Sequence, residues 1–202
     1  MVLHIILEST LVDRDGNPIL GPDGRPVDRI VKPTNSWVKQ FPQIMKSCMQ
    51  EISEAGVLDT TGASLTVDRT PGPILDASPA AGDNTHGIQV GTSNVAPTST
   101  DNALGALIAS GSAAGELDYQ VQLWPGTAST ALIAIAGGVR IVGSRQVDNN
   151  SGGLVTVEEI GLAVRQRATT GIFFFLILRD LITSAIADGT SRVFTYNLEY
   201  LV

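Results

Sequence analysis

Glu158 and Glu159 form the one adjacent carboxylate pair in the sequence, and paired carboxylates are the usual means of dividing general acid from general base. Both must reach one substrate, whereas neighbours on a strand point to opposite faces. The pair therefore reads as structural: one glutamate meets solvent, and Glu159, half buried, pairs with an arginine such as Arg179, because a buried carboxylate needs a partner. His4 and His86 fall in an N-terminal strand and a loop, outside any metal-spaced cluster of His, Cys or carboxylates. Cys48 stands alone, so it makes no intrachain disulfide and no thiolate zinc site, and it reads as a small buried apolar residue. Ser112 in Gly111-Ser112-Ala113-Ala114-Gly115 lacks nucleophile-elbow spacing, and Gly87, Gly91, Gly105, Gly111 and Gly115 match no dinucleotide or phosphate loop. Asp13, Asp15 and Asn17 have the start of a calcium-loop spacing, but Pro18 stands where that loop needs glycine and Gly24 where it needs glutamate, so a plain turn is expected. No catalytic, cofactor or metal site follows.

Composition bounds the remaining classes. The chain has 202 residues, a net charge of −7 and only 16% charged residues, against roughly 25% in soluble domains. The length suits one large domain. An acidic chain without a basic stretch argues against duplex nucleic acid, which is bound through clustered Lys and Arg. No apolar run approaches the roughly 20 residues that span a bilayer, and the N-terminus has no leader pattern, so no membrane partner and no export are expected. Abundant Gly (21 residues) and little charge favour turns and faces that stack on a partner.

Periodicity places these residues on elements. Residues 1–33 read as an N-terminal arm or hairpin with two similar turns, Asp15-Gly16-Asn17-Pro18 and Asp23-Gly24-Arg25-Pro26; removing 1–32 is expected to leave a folded domain. Residues 34–56 read as a helix capped by Asn35 or Ser36. Trp37, Phe41, Met45, Cys48 and Ile52 share one stripe of it, and Pro42 either kinks it or sits in its first turn. The stripe covers one end of a sandwich or faces another subunit. Residues 57–86 form a Pro/Gly-rich loop with one short strand at 64–67, suited to draping over a neighbour. Residues 87–202 read as an antiparallel β-sandwich or jelly-roll-like domain, so the fold class is mainly β with one or two short helices. Its strands fall at 88–91, 117–123, 131–147, 154–164, 172–178 and 192–201, with a hairpin through 148–153 and a short helix capped by Asp101 over 102–108. In the last strand Phe194, Tyr196, Leu198 and Tyr200 share the core face. The run 172–178 has no polar face, so a helix or a partner chain should cover its outer side.

Five pieces in order carry a resemblance. Gly87-Ile88-Gln89-Val90-Gly91-Thr92 followed by Pro97 and Asp101-Asn102-Ala103-Leu104, then Leu117-Asp118-Tyr119, Asn149-Asn150-Ser151-Gly152-Gly153, Thr156-Val157-Glu158-Glu159-Ile160-Gly161-Leu162, and Arg179-Asp180 with Asp188-Gly189 resemble a β-domain of tailed-bacteriophage structural proteins. Asn35-Ser36-Trp37-Val38-Lys39-Gln40-Phe41 resembles the element that precedes that domain. Val147 stands where the family pattern has an aromatic. The resemblance implies a virion component without catalysis, made in the host cytoplasm, whose partners are copies of itself and other capsid, portal, neck or tail subunits. A head-associated cement, decoration or neck protein is the first expectation, and a tail, baseplate or fibre protein the second. The candidate assembly contacts are Trp37, Phe41, Pro71, Pro73 and Trp124. A third expectation is a carbohydrate-binding sandwich that stacks sugar on Trp37, Trp124, Tyr119, Tyr196 and Tyr200.

Overall fold

The structure is a computed structural model that describes residues 2–34, 36–68, 72–124 and 132–201. It is a mainly β protein of two antiparallel sheets facing each other as a sandwich. The six-stranded sheet runs β2 (Arg29–Thr34), β1 (Val2–Val12), β11 (Ser191–Leu201), β8 (Gly138–Asp148), β6 (Asp118–Tyr119), and β7 (Leu132–Ile135) also pairs with β8. The five-stranded sheet runs β10 (Gly171–Ile186), β9 (Val155–Ala168), β4 (Ser64–Val67), β3 (Glu54–Leu58), with β5 (Gly87–Gly91) on β9. Alternation explains which side is inside: Ile5, Leu7, Val147, Phe194 and Tyr196 of one sheet meet Val90, Val157, Leu162, Val164 and Phe175 of the other, all nearly inaccessible to solvent.

The N-terminal segment is a hairpin, as its turns suggest, but it is not an arm. β1 lies between β2 and β11 and pairs with β11 from Val2↔Leu201 to Val12↔Ser191. Removing 1–32 would strip Ile5 and Leu7 from the core and leave β11 with an open edge. Beyond the paired residues the hairpin extends through two tight turns, where Gly16 and Gly24 take φ of 83° and 73° that side chains resist.

The helix is shorter than its stripe. α1 spans Gln40–Gln50, with Lys39 at the N-cap and Pro42 in the first turn, where its missing N–H costs nothing; Asn35 lies outside the described residues. It ends at Glu51, in the left-handed region, because 54–58 leave the helix to pair with β4. The run 131–147 is two strands, β7 and β8, joined by a tight turn at Ala136-Gly137, with residue 131 outside the described residues. Residues 102–108 form no helix; they lie along β5, Thr92 N–H donating to Ala106 O and Ile108 N–H to Val90 O. That segment also answers what covers 172–178: Leu104 and Val38 pack on Leu176 from outside while Phe175 and Ile177 face the core, so the cover is the chain's own loop. After β4, Asp76 bridges Arg165 and Arg167 N–H donates to Pro73 O, so this part of the loop extends β9's edge.

The turn at 149–153 joins strands of different sheets, so it is a crossover and not a hairpin; 187–190 carries the chain back the same way. Asn149, fully buried, locks the two crossovers together. Its N–H donates to Thr190 O and its O accepts from Gly189 N–H. Its Nδ2 donates to Gly153 O and Ile186 O, both at 2.7 Å, and its Oδ1 accepts from Ser151.

Candidate functional site

The interior charges come first, because catalysis would need one of them free. Glu159 sits on β9 with none of its side chain exposed. Its Oε2 accepts from Arg179 Nε at 2.8 Å and from Gly105 N–H at 3.0 Å; its Oε1 accepts from Ala106 N–H at 2.7 Å and Ser93 N–H at 3.3 Å. Arg179 continues to Asp101 Oδ2 at 2.6 Å and to Val95 O at 3.1 Å. Burial works to raise the Asp101 carboxyl, but hydrogen bonds from Thr98 and Arg179 hold it below its ordinary value. Both oxygens of Glu159 are filled, and what they hold is the covering segment 93–106. Glu158 points elsewhere and accepts from Thr183 Oγ1. The two glutamates are thus parted, and the Glu159–Arg179 pair is a strut between loop and sheet.

Sequence reasoning missed a second strut. Arg145, on the inner side of β8, is 1% exposed and meets backbone carbonyls instead of a carboxylate. Nε donates to Gln120 O, Nη1 to His86 O and Ile88 O, Nη2 to Asp83 O and Ala80 O, and the guanidinium lies 4.8 Å from the centre of the Tyr119 ring. Burial pushes its pKa down to about 10. The only sequence signal was its alternation with Gly143 and Val147 on the core face. A third strut is Arg192, which donates to Ser9 Oγ at 2.6 Å and Asp28 Oδ2 at 2.9 Å. Asp180 accepts from Thr34 Oγ1 and from Tyr196 OH.

Burial governs the other candidate groups, His86 and Cys48. His86 is buried, stacked on Phe174 with ring centres 5.5 Å apart and its Nδ1 3.2 Å from Thr85 Oγ1; burial lowers its pKa despite Asp83 nearby. Burial raises the Cys48 thiol, which disfavours the thiolate. Asp13 accepts from the N–H groups of Asp15 and Asn17 in a plain turn. Among the described residues no three His, Cys, Asp or Glu side chains converge as a metal site.

An apolar groove of about 500 Å³ lies between the sheets, and it collects three of the candidate contacts. Trp37 and Phe41 stack at 3.9 Å, and Trp124 donates Nε1–H to Ala77 O at 3.1 Å. The Trp124 ring lies so close to Gly143 that a Cβ there would sit 2.6 Å from it. Val139, Ile141 and Leu198 wall one side, Leu162, Val164 and Ile177 the other, and Tyr200, 39% exposed, stands at the mouth instead of in the core. These aromatics pack on their own chain, so the helix stripe covers one end of the sandwich. Pro73 is held on β9, and Pro71 lies outside the described residues. Tyr119 and Tyr196 are fully buried, which removes them as sugar platforms.

Exposed apolar side chains gather elsewhere. Val31, Val121, Leu123 and Ile133 lie on the outer face of the six-stranded sheet, with Leu20 and Val27 on the hairpin extension. Two ion pairs cross that face, Arg29 Nε with Glu8 Oε1 at 2.7 Å and Arg140 with Glu199, while Asp118 and Asp148 accept hydrogen bonds from the neutral Gln120 and Gln146. The face also holds a hollow of about 540 Å³ in which Arg14, Asp15, Gln146 and Asp148 stand beside Val121 and Leu123. Comparison with protein-family models, curated proteins and solved structures finds no match.

Proposed function

We propose that the chain is a non-enzymatic structural component of a tailed-phage virion. Its role is that of a head-associated cement, decoration or neck subunit that packs against copies of itself and against shell or portal-proximal subunits. The supporting observation is the outer face of the six-stranded sheet, which exposes Val31, Val121, Leu123 and Ile133 and pairs Arg29 with Glu8 and Arg140 with Glu199. In a chain of net charge −7, these ion pairs lower the repulsion between two copies that meet there. Full burial of a Val or Leu contributes about 1.5–3 kcal/mol, so each half-exposed side chain there adds roughly 1 kcal/mol on docking. The interior charges support the same reading, because they tie the chain's own loops to its own sheets. The order of motifs in 87–202 supplies the phage assignment.

The test is incorporation of the double variant Val31→Lys, Leu123→Lys into particles. Both side chains are exposed, so folding changes by no more than about 0.5 kcal/mol per site, while docking would bury two unpaired ammonium groups. Occupancy is expected to fall at least tenfold; full occupancy of the folded variant would refute this face as the contact.

A further inference from the structure

The inter-sheet groove plays no part in that packing, yet it brings both tryptophans of the chain to one place. Its volume of about 500 Å³ falls within the roughly 300–1,000 Å³ of small-molecule sites. Packed sheets stand about 10 Å apart, so once Val139 and Leu198 project from one side and Leu162 and Val164 from the other, the gap is a slot one chain thick. A flat protein surface does not enter such a slot, and Trp37 and Trp124 are themselves half-buried inside it. Charge narrows the ligand further. Asp76 is the one charged residue among those lining the groove, and Arg165 already neutralises it through Nη2 at 2.6 Å and Nε at 3.0 Å. A cationic ligand finds no free anion among the lining residues and an anionic one no cation there, so either would be desolvated without a partner. The hydroxyl of exposed Ser78 stands near it and suits a neutral polar head.

We propose that this groove binds one uncharged, chain-like apolar small molecule with a neutral polar head, of the class of a medium-chain alcohol or ester. The occupant lies between Trp37 and Trp124, so their emission reports its arrival directly. The experiment titrates the intact protein with hexanol, octanol, decanol and dodecanol and with decanoate, following tryptophan fluorescence. Expected is a saturable change at one ligand per chain. Affinity should rise about fourfold per added methylene until the slot is filled, and decanoate should bind at least tenfold more weakly than decanol. Val139→Trp, which fills the slot from its wall, should abolish binding; if it does not fold, Val139→Met should weaken decanol at least threefold. A response that never saturates, affinity independent of chain length, or equal binding of decanoate would overturn the proposal. So would tryptophan emission that shifts with protein concentration alone, since a second copy would then be the occupant.

Discussion

Replacing Arg179 with methionine removes the cation that joins Glu159, Asp101 and Val95 O while keeping much of the apolar stem. Breaking a buried pair by deleting one partner costs about 3–5 kcal/mol. Three backbone N–H groups remain on Glu159, so the lower end, about 3 kcal/mol, is expected. At about 2–4 °C per kcal/mol for a chain of this size, Tm should drop by roughly 6–12 °C. Urea unfolding gives the free energy, and amide exchange gives the location: Gly105 and Ala106, whose N–H groups point at Glu159, should lose protection before the strands do. Asp101 adds a pH signature. Its carboxyl is held below the ordinary value in the folded chain, so the stability it contributes is full above its unfolded pKa near 4 and is lost as pH falls through the lower folded value. Arg179→Met should shrink that acid limb. A loss under about 1 kcal/mol with both amides still protected would refute the strut.

Other expectations follow from the same contacts. Asn149→Ala leaves Gly153 O and Ile186 O without their donors at a buried corner and should cost about 2–4 kcal/mol in urea unfolding. His86 is held neutral by burial, with a folded pKa below 6.5; the stability this gives is present above that value and is lost as pH falls through it, so His86→Gln should flatten the stability profile from about pH 6.5 downward. Deleting 1–32 should yield an unfolded or aggregated product by circular dichroism, because β1 is an inner strand of its sheet, paired along its length with β11, and carries Ile5 and Leu7 into the core.

Local chemistry was legible in the sequence where one strand's alternation decides it. Phe194 and Tyr196 fall on the core face because a period of two places them there, and the unbroken run 172–178 announces a strand covered on both sides, which holds from Phe175 to Leu178 while Ile172 stays exposed. The partner of Glu159 was legible for a related reason: a carboxylate in an apolar strand needs a cation, and Arg179 ends the apolar run of the neighbouring strand, diagonal to Glu159 and two residues from its register partner Leu181. What was not legible is non-local. Asn149-Asn150-Ser151-Gly152-Gly153 reads as a turn in any setting, and nothing within it says that the strands it joins belong to different sheets. β1 reads as an arm until its register with β11 is known, since the two pair across nearly the whole chain. Leu104 looks helical after Asp101, but the backbone of β5 claims the hydrogen bonds that a helix would need. The groove, too, was hidden, because Trp37 and Trp124 meet only once both sheets are closed.

The most direct test of the central claim is a reconstruction of the particle that carries this protein. The account predicts density for the sandwich on the head or neck, with Val31, Leu123 and Val121 of the six-stranded sheet buried against an adjoining subunit. Particles that lack the protein, or that hold it with this face open to solvent, would contradict it.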